Sequence, residues 1–90
     1  MEHTILVLED DKGIREAIAI YLKNQGYKVV LAENGELGLE ILKTEIVHLA
    51  IVDIMMPVMD GLTFTMNARQ NFDFPIIFLS AKSEDINGLL

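Results

Sequence analysis

Glu9, Asp10 and Asp53 are the side chains in this sequence best placed to do chemistry. Glu9 and Asp10 follow the apolar run Ile5-Leu6-Val7-Leu8, and Asp53 follows Leu49-Ala50-Ile51-Val52. Each run has the length and the β-branched or aliphatic character of a short strand buried on both faces. Such strands belong to parallel sheets, where the carboxyl ends of neighbouring strands lie side by side. Acids that end two of them can converge, and converged carboxylates repel one another unless a cation sits among them. A hard cation that prefers oxygen ligands and keeps several waters, Mg2+ above all, is the expected occupant. The competing reading is local, because acids after a strand also serve as helix caps and solubilising loop residues. The fold decides between the two by bringing the strand ends together or leaving them apart.

The elements that must position these acids alternate along the whole chain, with no linker, repeat or low-complexity tract. A first strand is expected over Thr4–Leu8. Asp10 or Asp11 should cap a helix beginning near Lys12, with Ile14, Ala17, Ile18, Tyr21 and Leu22 as its inward face. Gly26 then stands at the C′ position. A second strand covers Lys28–Ala32. Asn34 caps a second helix of about Gly35–Thr44, with Leu37, Ile41 and Leu42 facing inward and Gly38 as a weak point. A third strand, Leu49–Val52, runs into a loop from Asp53 to Gly61 carrying Pro57 and Gly61. A third helix follows, about Leu62–Asn71. Pro75 opens a fourth strand, Ile76–Leu79. Ser83, with Glu84 and Asp85 in the first turn, starts a fourth helix in which the sequence reaches Leu90. This βαβαβαβ pattern predicts an α/β fold, a doubly wound parallel sheet with right-handed crossovers. If the first strand is central, with the second and third on either side, the strand order is 2-1-3-4. Ligands in such sheets bind where strand order reverses, beyond the carboxyl ends. Here that is between the strands ending in Glu9-Asp10 and Asp53.

Composition narrows the function classes. Ninety residues suffice for one domain with a modest core, and a hydrophobic share of 51% favours a globular chain over a disordered one. The absence of cysteine excludes a disulfide framework and thiolate metal sites, and fits a reducing compartment. Met1-Glu2-His3-Thr4 offers no basic region before an apolar stretch, and no apolar segment approaches membrane-spanning length. A cytoplasmic location with no membrane contact is expected. The net charge of −7, from 14 acidic against 7 Lys and Arg residues, repels nucleic-acid phosphates. Direct DNA or RNA binding by these residues is therefore not expected.

Other residues carry weaker signals. Ser80 ends the fourth strand, which should lie beside the third, so its hydroxyl could donate to a charged oxygen near Asp53; a local backbone bond is the alternative. Met55, Met56, Met59 and Met66 read as core and loop filler, although the Met55 carbonyl, two residues past Asp53, could reach a metal. His3 and His48 flank strands and lack a partner acid or cysteine at ligand spacing, which makes them surface residues.

Taken together, Ile5-Leu6-Val7-Leu8-Glu9-Asp10-Asp11, the Arg15-Glu16 step, Asp53-Ile54-Met55-Met56-Pro57-Val58-Met59-Asp60-Gly61 and Pro75-Ile76-Ile77-Phe78-Leu79-Ser80-Ala81 resemble the receiver domain of a bacterial two-component response regulator. Their wording is most similar to the OmpR/PhoB class of transcriptional regulators, and the match spans essentially the whole chain. The resemblance implies a flavodoxin-like receiver fold and a role for each residue. Asp53 would accept a phosphoryl group from a sensor histidine kinase. Glu9, Asp10, Asp53 and the Met55 carbonyl would hold Mg2+. Ser80 would bond a phosphoryl oxygen, Ala81 would leave that group access, and Pro57 and Gly61 would shape the loop that aims Asp53.

The family's remaining signature, a Lys after a fifth strand and an aromatic residue on that strand, has no counterpart in these residues. Lys82 stands at the wrong position for it. The expectation is a single receiver domain over 1–90, incomplete at its C-terminus, without its last strand and helix and without the DNA-binding output domain. The fourth strand would then be a bare apolar edge, open to a homodimer or a strand-paired oligomer. Two other functions use similar residues. An aspartyl-phosphate phosphohydrolase of the haloacid-dehalogenase type needs an acid two residues after its nucleophile, where this chain has Met55. A pseudo-receiver would keep the fold as an interaction module without phosphorylation, and Glu9, Asp10, Asp53 and Ser80 together argue against it.

Overall fold

Strand and helix alternate as the hydrophobic periodicity requires in the computed structural model, which describes residues 2–79. The elements are β1 (Thr4–Leu8), α1 (Lys12–Asn24), β2 (Lys28–Ala32), α2 (Gly35–Leu42), β3 (Leu49–Asp53), α3 (Gly61–Ala68) and β4 (Ile76–Leu79). All strand pairs are parallel, and the order is β2-β1-β3-β4, as expected. Ser80, Ala81, Lys82 and the helix expected from Ser83 lie outside the described residues.

β1 is the centre of the molecule, and every one of its five residues is buried. Its alternation splits the core into two layers. Leu6 and Leu8 point to the side covered by α2 and α3, where they meet Ala50, Val52, Phe64 and Ala68. Ile5 and Val7 point to the other side and meet Leu22 of α1, flanked by Ile18, Val29 and Ile51. Leu6, Val7, Leu8, Val52 and Phe64 are fully buried, each stabilising the fold by roughly 1.5–3 kcal/mol relative to exposure.

The helix ends follow their caps. Asp11, not Asp10, caps α1: its Oδ1 accepts from the Ile14 amide at 2.9 Å. At the other end Gly26 adopts φ 95°, its N–H bonds the Lys23 carbonyl and the Tyr27 N–H bonds the Leu22 carbonyl. That pair of bonds is a Schellman motif with glycine at C′. Asn34 caps α2 and Asp60 caps α3. Both helices stop short of the expected Thr44 and Asn71. Beyond Leu42 and Ala68 the chain tightens into turns closed by bonds from Thr44 to Ile41 and from Asn71 to Ala68.

Two inward faces differ from expectation. On α1 the buried line is Ala19 and Leu22 with Arg15 and Ile18 half-buried, while Ile14, Ala17 and Tyr21 are exposed. Among the described residues α1 is the sole helix on that side of the sheet, so side chains flanking its contact line touch nothing further. On α2, Leu37 is exposed and the glycine face is buried. A Cβ on Gly38 would lie 2.8 Å from Leu8 Cδ2 and 3.0 Å from Phe64 Cε1. The helix therefore lies on Gly38, and Leu37, about 100° away around the axis, turns outward. Gly38 is a close-packing point rather than a weakness.

These assignments separate two aromatic side chains. Phe64→Ala is expected to lower stability in urea unfolding by about 3–5 kcal/mol. Tyr21→Ala, at a position 64% exposed, should stay within about 0.5 kcal/mol of the parent. A large loss on truncating Tyr21 would restore the amphipathic face expected from spacing.

Candidate functional site

The register of β1 and β3 builds the site. Leu8 pairs with Val52, so Glu9 and Asp53 come next on neighbouring strands, with Asp10 one residue further on. One carboxylate oxygen from each of Glu9, Asp10 and Asp53 lies within 4.8 Å of the others. Glu9 is only 5% exposed, Asp53 is half-buried and Asp10 is exposed. The three acids line one cleft over the carboxyl edge of the sheet, together with Ile14, Met55 and Leu79.

Like charges at this spacing repel by on the order of a few kcal/mol per pair in a partly buried setting. Burial pushes the Glu9 carboxyl from its usual 4.5 up to about 7, and the neighbouring Asp53 charge adds to the rise. The Asp11 amide, donating to Glu9 Oε2 at 3.0 Å, works in the opposite direction. Without a cation the cluster thus relieves its repulsion by holding a proton at Glu9. The donor set is anionic and made only of oxygen, with no His or Cys in it, which suits a hard divalent cation such as Mg2+.

The loop after Asp53 is held by bonds on every side. The Met55 N–H donates to Asp53 Oδ1 at 3.2 Å and orients that carboxylate. The Gly61 N–H reaches back to the Ile54 carbonyl at 2.9 Å. A Cβ at position 61 would overlap the Asp53 carbonyl oxygen and stand 2.8 Å from Val52 Cγ1, so only glycine lets α3 begin this close to the acid. Between them Val58 has φ 69°, and the Met59 N–H bonds the Pro57 carbonyl at 2.7 Å. A β-branched residue in that region is strained. The strain is held by the Met59 carbonyl, which accepts from the Gly35 amide of α2 at 3.0 Å. Asp60 closes the loop as the α3 cap, and the Thr63 amide bonded to it at 2.7 Å lowers its carboxyl below the usual range.

The structure therefore brings Glu9, Asp10 and Asp53 together and sets Met55 and Pro57 on the same cleft. His3 and His48 are exposed at the opposite end of the sheet, their rings 5.0 Å apart, and His48 Nδ1 accepts from the Thr4 amide at 2.9 Å. Met56 and Met59 pack into the core, whereas Met55 and Met66 are exposed and fill nothing. Sequence reasoning gave no role to Arg15, whose guanidinium bonds the Glu9 and Asp10 carbonyls, or to Asp60 in the cleft. For Arg15 residue types carry no signal, because its partners are backbone carbonyls. For Asp60 the signal is an acid three residues before Thr63, ahead of a helical run.

A doubly wound parallel sheet of this order, with acids at its switch point, is the architecture of receiver domains. Residues 5–89 match the family described as the response regulator receiver domain, and the chain belongs to that family. It is 44% identical over 89 residues to the transcriptional regulatory protein DltR of Streptococcus agalactiae, covering 94% of this chain and 40% of DltR. To the transcriptional regulatory protein AfsQ1 of Streptomyces coelicolor it is 37% identical over 84 residues, covering 93% of this chain and 37% of AfsQ1. The chain thus spans about 40% or less of the length of these relatives. The N-terminal domain of a response regulator receiver protein from Methanoculleus marisnigri superimposes with a TM-score of 0.83 at 33% identity, over 96% of this chain and 75% of that one. The BeF3-activated receiver domain of Klebsiella pneumoniae RstA does so with a TM-score of 0.81 at 30% identity, over 97% and 77%.

The raised Glu9 carboxyl has a consequence for stability in the absence of divalent cations. The folded chain keeps a proton at Glu9 between pH 4.5 and about 7 that the unfolded chain releases. Its contribution is therefore complete below pH 4.5 and is lost as pH rises through 7. Relative to Glu9→Gln, the parent should lose up to about 3 kcal/mol across that window in urea unfolding. Parallel pH profiles of the two proteins would show that Glu9 does not carry the proton.

Proposed function

We propose that this chain is a phosphoacceptor: Asp53 takes a phosphoryl group from the phosphohistidine of a sensor histidine kinase, in a reaction that depends on Mg2+. The observation that carries the reading is the convergence of Glu9, Asp10 and Asp53 within 4.8 Å at the switch point of the sheet. Glu9, Asp10, Asp53 and the Met55 carbonyl would hold the ion, and Ser80 would donate to a phosphoryl oxygen. Membership of the receiver family supports this. So does the RstA receiver, described as activated by BeF3, a group that stands in for a phosphoryl on a carboxylate. The relatives DltR and AfsQ1 are named transcriptional regulatory proteins, which supports control of a DNA-binding output domain in a longer protein.

In the proposed reaction an Asp53 carboxylate oxygen forms the new bond to phosphorus. The phosphorus–nitrogen bond of the donor breaks, and its electron pair leaves with the imidazole nitrogen, which takes a proton from solvent. Phosphoryl transfer of this kind needs positioning and charge neutralisation more than covalent help. The Met55 amide supplies positioning by holding Asp53 Oδ1. Mg2+, when bound, offsets the charge of the incoming phosphoryl group against that of the acids. The backbone bonds of the loop from Ile54 to Gly61 keep the carboxylate aimed at the cleft.

Incubation with a small phosphodonor such as acetyl phosphate and Mg2+, read by intact mass, tests the reading. The parent should gain one phosphoryl group, and Asp53→Asn or excess chelator should abolish the gain. Equal labelling of Asp53→Asn, or rapid multiple turnover of the donor without a stable adduct, would overturn it.

A further inference from the structure

Arg15 is a cation beside the acidic cluster whose hydrogen bonds go to backbone carbonyls. It stands in the first turns of α1, four residues past the cap Asp11, and α1 has no acidic residue in its first turn. The side chain is half-buried and makes one specific contact. That contact is with backbone: Nη1 donates to the Glu9 carbonyl at 2.8 Å and, at 3.3 Å, to the Asp10 carbonyl. Among the described residues Arg15 makes no ion pair with a carboxylate.

The segment from Glu9 to Asp11 is consequently held from three directions, and the peptide between Glu9 and Asp10 by Arg15. The Glu9 amide bonds the Ala32 carbonyl of β2 at 3.1 Å. The Glu9 carboxylate accepts from the Asp11 amide at 3.0 Å. Arg15 holds the two carbonyls from α1. Release of that last contact frees the peptide after Glu9 to rotate, and rotation there redirects Asp10, the exposed member of the cluster.

We propose that Arg15 is a positioning residue for the cation site, clamping the Glu9 and Asp10 carbonyls so that both carboxylates address the same ion as Asp53. It acts through the backbone and touches neither the ion nor the phosphoryl group. The proposal rests on the reading of Glu9, Asp10 and Asp53 as the Mg2+ holders. Lysine is a poor substitute, because a flexible ammonium stem loses more freedom than a planar guanidinium in holding two carbonyls.

The sign of the effect separates positioning from charge. Arg15→Ala and Arg15→Met remove a positive charge from a chain of net charge −7, and charge alone would strengthen Mg2+ binding. Positioning predicts the opposite, a loss of about tenfold or more in Mg2+ affinity, with Arg15→Lys between the variants and the parent. Titration with Mg2+ alone, followed by calorimetry or by the amide shifts of Asp10 and Asp11, reads this without any phosphodonor. Arg15→Met keeps the bulk of the stem and a good helix former, and it carries the test if Arg15→Ala does not fold. Mg2+ binding by the folded variant as tight as the parent's, or tighter, overturns the proposal and leaves the cation site standing. A parent that binds Mg2+ no better than Asp53→Asn overturns the underlying site itself.

Discussion

Parallel pairing of β1 with β3 is the constraint on which the rest of the molecule depends. With Leu8 opposite Val52, the next residues on the two strands are Glu9 and the end of β3 at Asp53, and no side-chain rotation can place them far apart. The core enforces this arrangement against the charges. β1 is buried on both faces and anchors both hydrophobic layers. Leu6, Val7 and Leu8 alone, each contributing roughly 1.5–3 kcal/mol, outweigh a few kcal/mol of carboxylate repulsion. The repulsion persists in the folded state because relieving it by moving a strand would cost more than it returns. It is relieved locally instead, by a proton at Glu9 or by a cation.

The same tension explains the tightness of the surrounding backbone. Gly61 lets α3 start against the Asp53 carbonyl, and Gly35 lets α2 start against Met59, where a Cβ would come 2.8 Å from Met59 Cγ. Val58 holds a left-handed conformation between them. A strained residue of this type costs of order 1–3 kcal/mol and persists only where its neighbours over-determine it. Here the bonds from Gly61 to Ile54, Met59 to Pro57 and Gly35 to Met59 do so. The loop is thus an extension of the rigid frame, and Asp53 is aimed by backbone contacts that involve no charged side chain.

Most of this architecture was legible in the sequence because it rests on local signals. The apolar runs of β1 and β3, the caps Asp11 and Asn34, and Gly26 after α1 each have one dominant physical meaning. Strand order rested on placing the first strand at the centre, as the receiver resemblance implies, and the acid cluster followed from that order. What misled were side chains whose burial depends on a partner element. Ile14, Tyr21 and Leu37 have helical spacing toward the core, yet helix faces are set by what packs closest, and Ala19 and Gly38 allow the closest approach. Periodicity scores a glycine as absence, whereas packing treats it as access. Arg15 was illegible for a related reason: its partners are carbonyl oxygens, and backbone acceptors leave no trace in residue types.

The acids themselves show how a cap and a site differ when both sit on one cleft. Asp60 and Glu9 line the same space, and their carboxyls are displaced in opposite directions. Asp60 is exposed and accepts from the Thr63 amide, so its charged form is favoured. Glu9 also accepts an amide, from Asp11, but is buried beside Asp53, and burial wins. A capping acid has already found its positive partner in the helix start. A buried acid such as Glu9 has not, and it holds a proton or shares a cation instead. Carboxylate oxygens from Glu9, Asp10 and Asp53 in one corner suit a cation that is highly charged, hard and small.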